Sequence, residues 1–190
     1  MPPTIFRKLK KLANQRFALL SPHLTYHSID HSLDVVKQCV RIGALEKIGD
    51  EDLALLQIAA LYHDTGFLYT YLGHEEKSCE ILLADITGMD LTRSDVKVIL
   101  GLIMATKVPQ KPKTLMQRII CDADLDYLGR SDFADITQRL KNEFLYYSIV
   151  KDEIDWKNVQ RNFLKKHHYH TASSMRRREP IKQINLSRLD

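Results

Sequence analysis

The sequence predicts an all-α protein, and three observations lead to this prediction. Apolar residues recur at helical spacing along most of the 190-residue chain. The seven Gly and six Pro are few and scattered, and no segment alternates polar and apolar residues as a half-buried strand does. With 44% hydrophobic and 27% charged residues, the chain has an ordinary globular composition and is long enough to bury a full core.

Capping residues and glycines define the expected helices in order along the chain. The periodicity predicts an amphipathic helix over 4–20 and a second helix over 29–48, with Ser28 as its N-cap. Leu33, Val36, Val40 and Leu45 are expected on the buried face of the second helix. A third helix is expected from Asp50 to Gly66, followed by a linker over 67–73. The remaining helices are expected at 74–87, 94–105, 114–128, 131–150, 155–168 and 174–188.

Charge divides the chain into three parts. Residues 1–20 carry five Lys or Arg and no acid, residues 21–150 carry 13 basic and 19 acidic side chains, and residues 151–190 carry ten basic and five acidic. Basic ends attract phosphates, nucleic acid or a membrane surface, and solvated helix faces are the simpler interpretation. The first helix fits either a transit peptide or the cap of a bundle. We expect a single domain over 1–190, with a motif-bearing core at about 20–145 and basic helical flanks.

Cysteine usage and hydropathy bear on location. Cys39, Cys79 and Cys121 are odd in number and far apart, which argues against a disulfide scaffold and a thiolate zinc site and indicates a reducing compartment. The longest apolar run, 98–105, is far shorter than the roughly 20 residues of a spanning helix. The start lacks the pattern of a secretory signal. The sequence therefore predicts a cytoplasmic protein with no membrane span.

Histidine and aspartate cluster in three segments of the acidic middle part. Imidazole together with carboxylate suits Mn, Fe, Co, Ni or Zn rather than Ca, and charges within apolar stretches are costly unless paired or bound to a metal. Adjacent helical residues point about 100° apart, so an adjacent His-Asp pair meets at one centre where a helix frays. The segments hold, in order, His27, His31 and Asp34; His63 and Asp64; and Asp122, Asp124 and Asp126.

The order of these residues resembles the HD superfamily of metal-dependent phosphohydrolases. The resemblance covers roughly 20–145 and implies a compact helical bundle around a metal. Asp122 and Asp124 lie about 200° apart on a helix, so one of them is expected at the site, and the family motif favours Asp124. The matching segments are Tyr26–Val35, Ala60–Gly66 and Asp122–Asp126. The implied ligands are His31, His63, Asp64 and Asp124.

This resemblance implies hydrolysis of a phosphomonoester or phosphodiester, with a small phosphorylated molecule of nucleotide type as substrate. The implied cofactor is a divalent transition metal (Mn, Fe, Co, Ni or Zn, with Mg as a further option) that activates water, and Asp64 would bridge metal and water. The first segment also resembles cyclic-nucleotide phosphodiesterases, in which the first histidine protonates the leaving oxygen. His27 takes this catalytic position, and a surface histidine near a cap is its alternative. His74 is either a ligand of a second metal or of phosphate, or a plain N-terminal helix histidine.

Several basic groups are candidates for other contacts. Lys107, Lys111 and Lys113 on a Pro-containing loop, and Arg130 beyond the Asp helix, are either phosphate contacts or solvated charges; Lys107 and Arg130 are the predicted substrate-binding residues. The histidines of 167–170 form either a metal cluster or a partly solvated helix end. Arg176 to Arg178 have no accompanying stacking platform or nucleic-acid module, which argues against nucleic acid as a partner. The oligomeric state is not predicted.

Two alternatives to the hydrolase remain from the sequence. One is a di-iron oxygenase on the same helical scaffold, and the other is a non-catalytic regulatory or binding module that retains the metal site. Other enzyme classes find no support, because the chain has no Gly-x-Ser-x-Gly elbow, no Gly-rich phosphate loop before Lys-Ser/Thr, and no His-Glu-x-x-His motif.

Overall fold

A computed structural model describes residues 3–189. Over this range the chain forms nine α-helices and two short 3-10 helices, with no strand, which confirms the all-α prediction. The α-helices are α1 Pro3–Phe17, α2 Ile29–Leu45, α3 Asp50–Tyr62, α4 His74–Asp85, α5 Arg93–Ala105, α6 Leu115–Asp124, α7 Phe133–Tyr146, α8 Glu153–Lys166 and α9 Ala172–Ser187. The 3-10 helices are Thr65–Leu68 and Asp126–Gly129.

The main core surrounds α3, which lies among α1, α2, α4, α5 and α6. From Leu55 to Tyr62, all of its residues but Gln57 are buried. A helix that is apolar on every side is stable only when neighbours cover it completely. The C-terminal end of α3 therefore delivers the residues that follow it, His63 and Asp64, into the protein interior.

A second apolar cluster lies where the 3-10 helix Asp126–Gly129 meets α7 and α8. Its buried members include Leu128, Phe133 and Leu164. Helix α9 packs along the same 3-10 helix, and Asn185 donates hydrogen bonds to the carbonyl oxygens of Leu128 and Arg130 at 3.0 and 3.1 Å. The two basic-rich C-terminal helices are thus attached directly beside the segment that carries the aspartates.

The predicted helix boundaries are correct to within a few residues at most ends. Thr92 and Thr114 both form capping boxes, as their positions suggest. Helix α7 begins after Asp132 and not after Ser131, and the helix expected over 114–128 ends at Asp124, where the chain tightens into a 3-10 turn.

The predicted buried face of α2 is wrong in part. Val40 and Leu45 are 37% and 52% exposed, whereas Val35, Cys39 and Ile42 are buried. The buried stripe lies one residue N-terminal to the predicted one, where α2 packs against α3 and α6. Along residues 3–189 no helix is both long and apolar enough to cross a membrane. The three cysteines are free thiols.

Candidate metal centre

The end of α3 brings His63 and Asp64 to one point. The helix ends at Tyr62, and Asp64 has left the helical conformation, with φ −106° and ψ 2°. This unwinding removes the angular separation that a regular helix would impose on adjacent side chains. His63 Nε2 consequently lies 3.1 Å from Asp64 Oδ2, and both residues are buried.

Gly66 allows the turn after Asp64 to pack against the start of α4. A Cβ atom at Gly66 would lie 1.9 Å from the carbonyl oxygen of His74 and 2.8 Å from the amide nitrogen of Ser78. Ser78 Oγ accepts a hydrogen bond from the Gly66 amide at 2.8 Å and donates one to the His63 carbonyl at 2.6 Å. This contact fixes the His63 backbone relative to α4.

His31 from α2 and Asp124 from the end of α6 complete the cluster. His31 Nε2 lies 3.3 Å from Asp124 Oδ1 and 3.4 Å from Asp64 Oδ2. His63 Nε2 lies 3.3 Å from the same Asp124 oxygen. One ligand atom each from His31, His63 and Asp124 lie within 4.8 Å of one another, so the group can hold a metal ion.

The side chains present fit a divalent metal. His63 Nδ1 donates to the Ala60 carbonyl at 2.8 Å, so Nε2 is the ring atom that would bind a metal in place of a proton. His63 Nε2 and Asp64 Oδ2 are buried without a hydrogen-bond partner of acceptable geometry. Buried polar atoms are rarely left unpaired, and a metal ion would satisfy both. Imidazole and carboxylate ligands together suit a transition metal.

Charge within the cluster favours the ionised carboxylates that a metal requires. Burial raises the pKa of Asp124, but the close contacts with His31 and His63 outweigh it and lower that pKa to about 2. The pKa of Asp64 is also lowered, since the charge of His63 outweighs its burial. Burial lowers the pKa of His63, but the two carboxylates outweigh it and raise that pKa well above its ordinary value.

His74 lies on the other side of Asp64. Its Nε2 is 3.5 Å from Asp64 Oδ1, while its Nδ1 donates to the Tyr71 carbonyl at 3.0 Å. Phe67 stacks between the rings of His74 and His27, with centroid distances of 3.9 and 4.0 Å. Asp64 therefore faces His63 with one carboxylate oxygen and His74 with the other.

The chain matches one protein family over much of its length. The HD domain matches residues 28–126, more than half of the chain. The chain belongs to the HD domain family. An HD domain is typically a metal-dependent phosphohydrolase. No curated protein and no solved structure matches the chain.

Glu143 lies outside residues 28–126 and accepts hydrogen bonds from residues beside the cluster. His27 Nδ1 donates to Glu143 Oε1, and the amides of Tyr26 and His27 donate to Oε2 at 3.0 and 3.2 Å. Tyr71 Oη donates to Oε1 at 2.8 Å. Burial lowers the pKa of His27, but the hydrogen bond to Glu143 and nearby carboxylates outweigh it and raise that pKa. Glu143 is not among the residues predicted from the sequence, where its only local signal is a carboxylate followed by four apolar or aromatic residues.

The three aspartates at the end of α6 have separate environments in the HD domain. Asp124 faces the two histidines, as predicted from the motif. Asp122 is buried and accepts hydrogen bonds from the His170 amide and from the Thr171 amide and hydroxyl, at 2.8, 2.8 and 2.6 Å. Asp126 is buried in ion pairs with Arg41 and Arg178. Asp122 and Asp126 thus hold the chain's C-terminal part against the HD domain.

The predicted substrate-binding cations have partners of their own. Lys107 is partly exposed at the edge of a cavity of about 400 Å³ that Asp64 and Asp124 also line, and it forms an ion pair with Glu76. Arg130 lines a smaller cavity of about 100 Å³ that His31 and Asp124 also line, and its guanidinium contacts Asp34 and Asp132, each at 2.5 Å. Phosphate binding by either cation stays a prediction. Lys111 and Lys113 are exposed.

The C-terminal histidines do not form a metal site. Within residues 3–189, His31, His63 and Asp124 are the only group of three or more potential ligands close enough to share one metal ion. His167 is buried against Phe163 and Tyr169, and burial lowers its pKa to about 3. His168 is exposed, and Arg178 is committed to Asp126.

Proposed function

We propose that this HD domain hydrolyses a phosphomonoester or phosphodiester with the help of one divalent transition metal. The observation that carries the proposal is the pair of unpartnered buried atoms, His63 Nε2 and Asp64 Oδ2, within a cluster that borders an open cavity. His31, His63, Asp64 and Asp124 would hold the metal. A bound divalent metal lowers the pKa of water and polarises a phosphoryl oxygen, which is the chemistry this reaction needs.

His27 has the position and the protonation state of a general acid. Its Nδ1 is occupied by Glu143, so the Nε2 proton is the one that a substrate in the adjoining cavity can reach. The raised pKa of His27 favours the doubly protonated ring that carries this proton. In the proposed reaction, a water oxygen forms the new bond to phosphorus as the ester P–O bond breaks. The departing oxygen takes the His27 Nε2 proton, and a water proton restores it.

Asp64 and His74 complete the proposed arrangement. The two oxygens of Asp64 face His63 and His74, so Asp64 can both bind the metal and accept a hydrogen bond from the attacking water. His74 Nδ1 donates to the Tyr71 carbonyl, so Nε2 is the atom that would bind a second metal through its lone pair or donate an N–H to phosphate. We also propose that the flanking helices act with residues 28–126 as one domain, since Glu143 of α7 positions the acid.

Metal analysis combined with a hydrolysis screen tests this function, with inorganic phosphate measured for monoesters and the freed monoester or phenol measured for diesters. Purified protein would be assayed with Mn, Co, Ni, Zn, Fe or Mg on nucleoside monophosphates, cyclic nucleotides, alkyl phosphates and an aryl phosphodiester. We expect metal-dependent release by wild type and by Asp135→Ala, which removes an exposed carboxylate of α7, and loss of release in Asp124→Ala. Nucleotides belong in the screen because the family resemblance implies them.

The two alternatives give different results in the same screen. A di-iron oxygenase would consume oxygen and lose activity anaerobically, and it would hold two irons per chain. A regulatory module would show no turnover with any metal, and His63→Ala would keep its biological effect. Metal-dependent phosphate release that is unchanged without oxygen would exclude both.

A further inference from the structure

The cavity that opens beside the metal cluster continues into an apolar space. Its volume is about 400 Å³, within the range of small-molecule sites, and its floor is formed by His27, Asp64, His74 and Asp124. The walls come from α7, α8 and the 3-10 helix before α7. The apolar wall residues include Leu128, Leu140, Phe144, Trp156, Val159 and Phe163.

The polar groups on these walls are mostly engaged within the protein. Tyr71 Oη donates to Glu143, Thr106 Oγ1 to the Ile103 carbonyl, and Thr137 Oγ1 to the Phe133 carbonyl. Recognition of a nucleobase relies on hydrogen bonds to the base edge together with stacking. Of the other lining residues, Gln160 brings a side-chain amide, and Tyr26 and Tyr127 bring hydroxyls; the Tyr26 ring contacts His31 and Tyr127 and so lies at the metal-cluster end of the cavity. The walls are therefore poorly equipped to distinguish one base from another.

The cavity is also poor in positive charge. Lys107 is the one Lys or Arg among the described residues that line it, and Glu76 neutralises that charge. Arg130 lines the smaller cavity and is shared between Asp34 and Asp132. A substrate with charge beyond the reacting phosphate would meet only Lys107 along the walls of the larger cavity, while Arg130 and Arg139 line the smaller one.

We infer that this cavity takes an apolar alkyl or aryl group, so that the substrate is the phosphate ester of an apolar alcohol. The inference rests on the proposed function, since it places the ester phosphate at the metal cluster and the alcohol's carbon skeleton among α7 and α8. Burial of each methylene from water favours binding, and that preference would appear as selectivity for longer chains.

A series of n-alkyl phosphates from ethyl to octyl tests the inference with the metal-loaded protein. We expect kcat/KM to rise about fourfold for each methylene until the cavity is filled, and to exceed the value for nucleoside monophosphates. Val159→Gln, at a position 39% exposed and on the cavity wall, would flatten this dependence. Ile154→Gln is the matched control, because Ile154 lies on the same helix, is 72% exposed and does not line the cavity.

Binding of 2-naphthol, followed by its fluorescence without metal or phosphate, separates the two proposals. Saturable binding that is weakened by Val159→Gln and kept by Ile154→Gln supports a cavity that prefers apolar groups, whether or not any phosphate ester is hydrolysed. If no phosphate ester is hydrolysed, the proposed function fails. Phosphate release that is independent of chain length, or that favours nucleotides, overturns the inference while the proposed function stands. Absence of saturable 2-naphthol binding also overturns it.

Discussion

Glu143 on α7 accepts a hydrogen bond from His27, which lies 116 residues earlier in the chain. The same buried carboxylate accepts hydrogen bonds from the backbone amides of Tyr26 and His27 and from the hydroxyl of Tyr71. One side chain therefore ties the segment before α2 to the loop before α4. Because these two segments carry His27 and His74 to the cavity, Glu143 determines how they face the metal cluster.

The link between His27 and Glu143 predicts a defined pH dependence of stability. Burial opposes both charges, but their mutual hydrogen bond raises the pKa of His27 and lowers the pKa of Glu143. The stabilisation that comes with the raised His27 pKa is complete below about pH 6.5, and it is lost as the pH rises through the pKa of His27 in the folded protein. The stabilisation that comes with the lowered Glu143 pKa is complete above about pH 4.3, and it is lost as the pH falls through the pKa of Glu143 in the folded protein.

Glu143→Gln is therefore expected to be most destabilising between about pH 4.3 and 6.5, by about 1–3 kcal/mol, with a smaller loss above the folded pKa of His27. Urea unfolding from pH 4 to 9 measures this difference, and NMR titration of His27 should show its pKa falling in the variant. Glu80→Gln, at a mostly exposed carboxylate, serves as control. A loss in Glu143→Gln that is the same at every pH would contradict the prediction.

The family motifs were sufficient to select the residues of the candidate metal cluster, and they did not reach what surrounds it. His31, His63, Asp64 and Asp124 belong to short motifs, and the unwinding after α3 needs only the local chain. Glu143 could not be chosen from sequence, because its role arises from partners more than 70 residues away. The apolar cavity has the same origin, since α8 forms a wall only after it packs beside α7.

Helical periodicity placed the helices well and oriented α2 less well. Apolar side chains occur on two neighbouring stripes of α2, and periodicity alone does not decide between them. The stripe with Val35, Cys39 and Ile42 is buried in the main core, where α2 packs against α3 and α6, and His31 on the same helix faces Asp64 and Asp124. Tertiary packing, which periodicity does not contain, thus decides which stripe is buried.

The two neighbouring aspartates Asp122 and Asp124 are expected to differ in what they support. Asp122→Ala removes three hydrogen bonds from a buried position and should lower the free energy of unfolding by about 3 kcal/mol. Asp124→Ala should abolish metal binding, because it removes the carboxylate that faces both histidines, whereas Asp122→Ala leaves that carboxylate in place. Denaturant unfolding of the apo proteins and calorimetric metal titration distinguish the effects. Equal metal affinity in the wild type and Asp124→Ala would contradict this assignment.

Gly66 is expected to tolerate no side chain. An added Cβ would meet the His74 carbonyl oxygen at 1.9 Å, and that oxygen is backbone that cannot move without displacing α4. Gly66→Ala should cost about 3 kcal/mol or more and weaken metal binding, since the turn positions Asp64. Gly101→Ala in α5 is the control: its nearest atom would be 3.9 Å away, and we expect it to stabilise by about 0.5–1 kcal/mol. Thermal unfolding of both variants measures the contrast, and similar behaviour would refute the steric argument.

Metal binding is expected to stabilise the fold through His63. A ligand that binds only the folded state adds about 2.7 kcal/mol at a concentration of 100 times its Kd, which corresponds to a rise in Tm of about 5–10 °C for a chain of this size. The rise follows because the metal would satisfy His63 Nε2 and Asp64 Oδ2, which are buried without partners. Thermal scans with Mn, Co, Ni or Zn, reversed by EDTA, measure it. His63→Ala should lose the shift and His168→Ala, at an exposed histidine, should keep it; an equal shift in both variants would place the metal elsewhere.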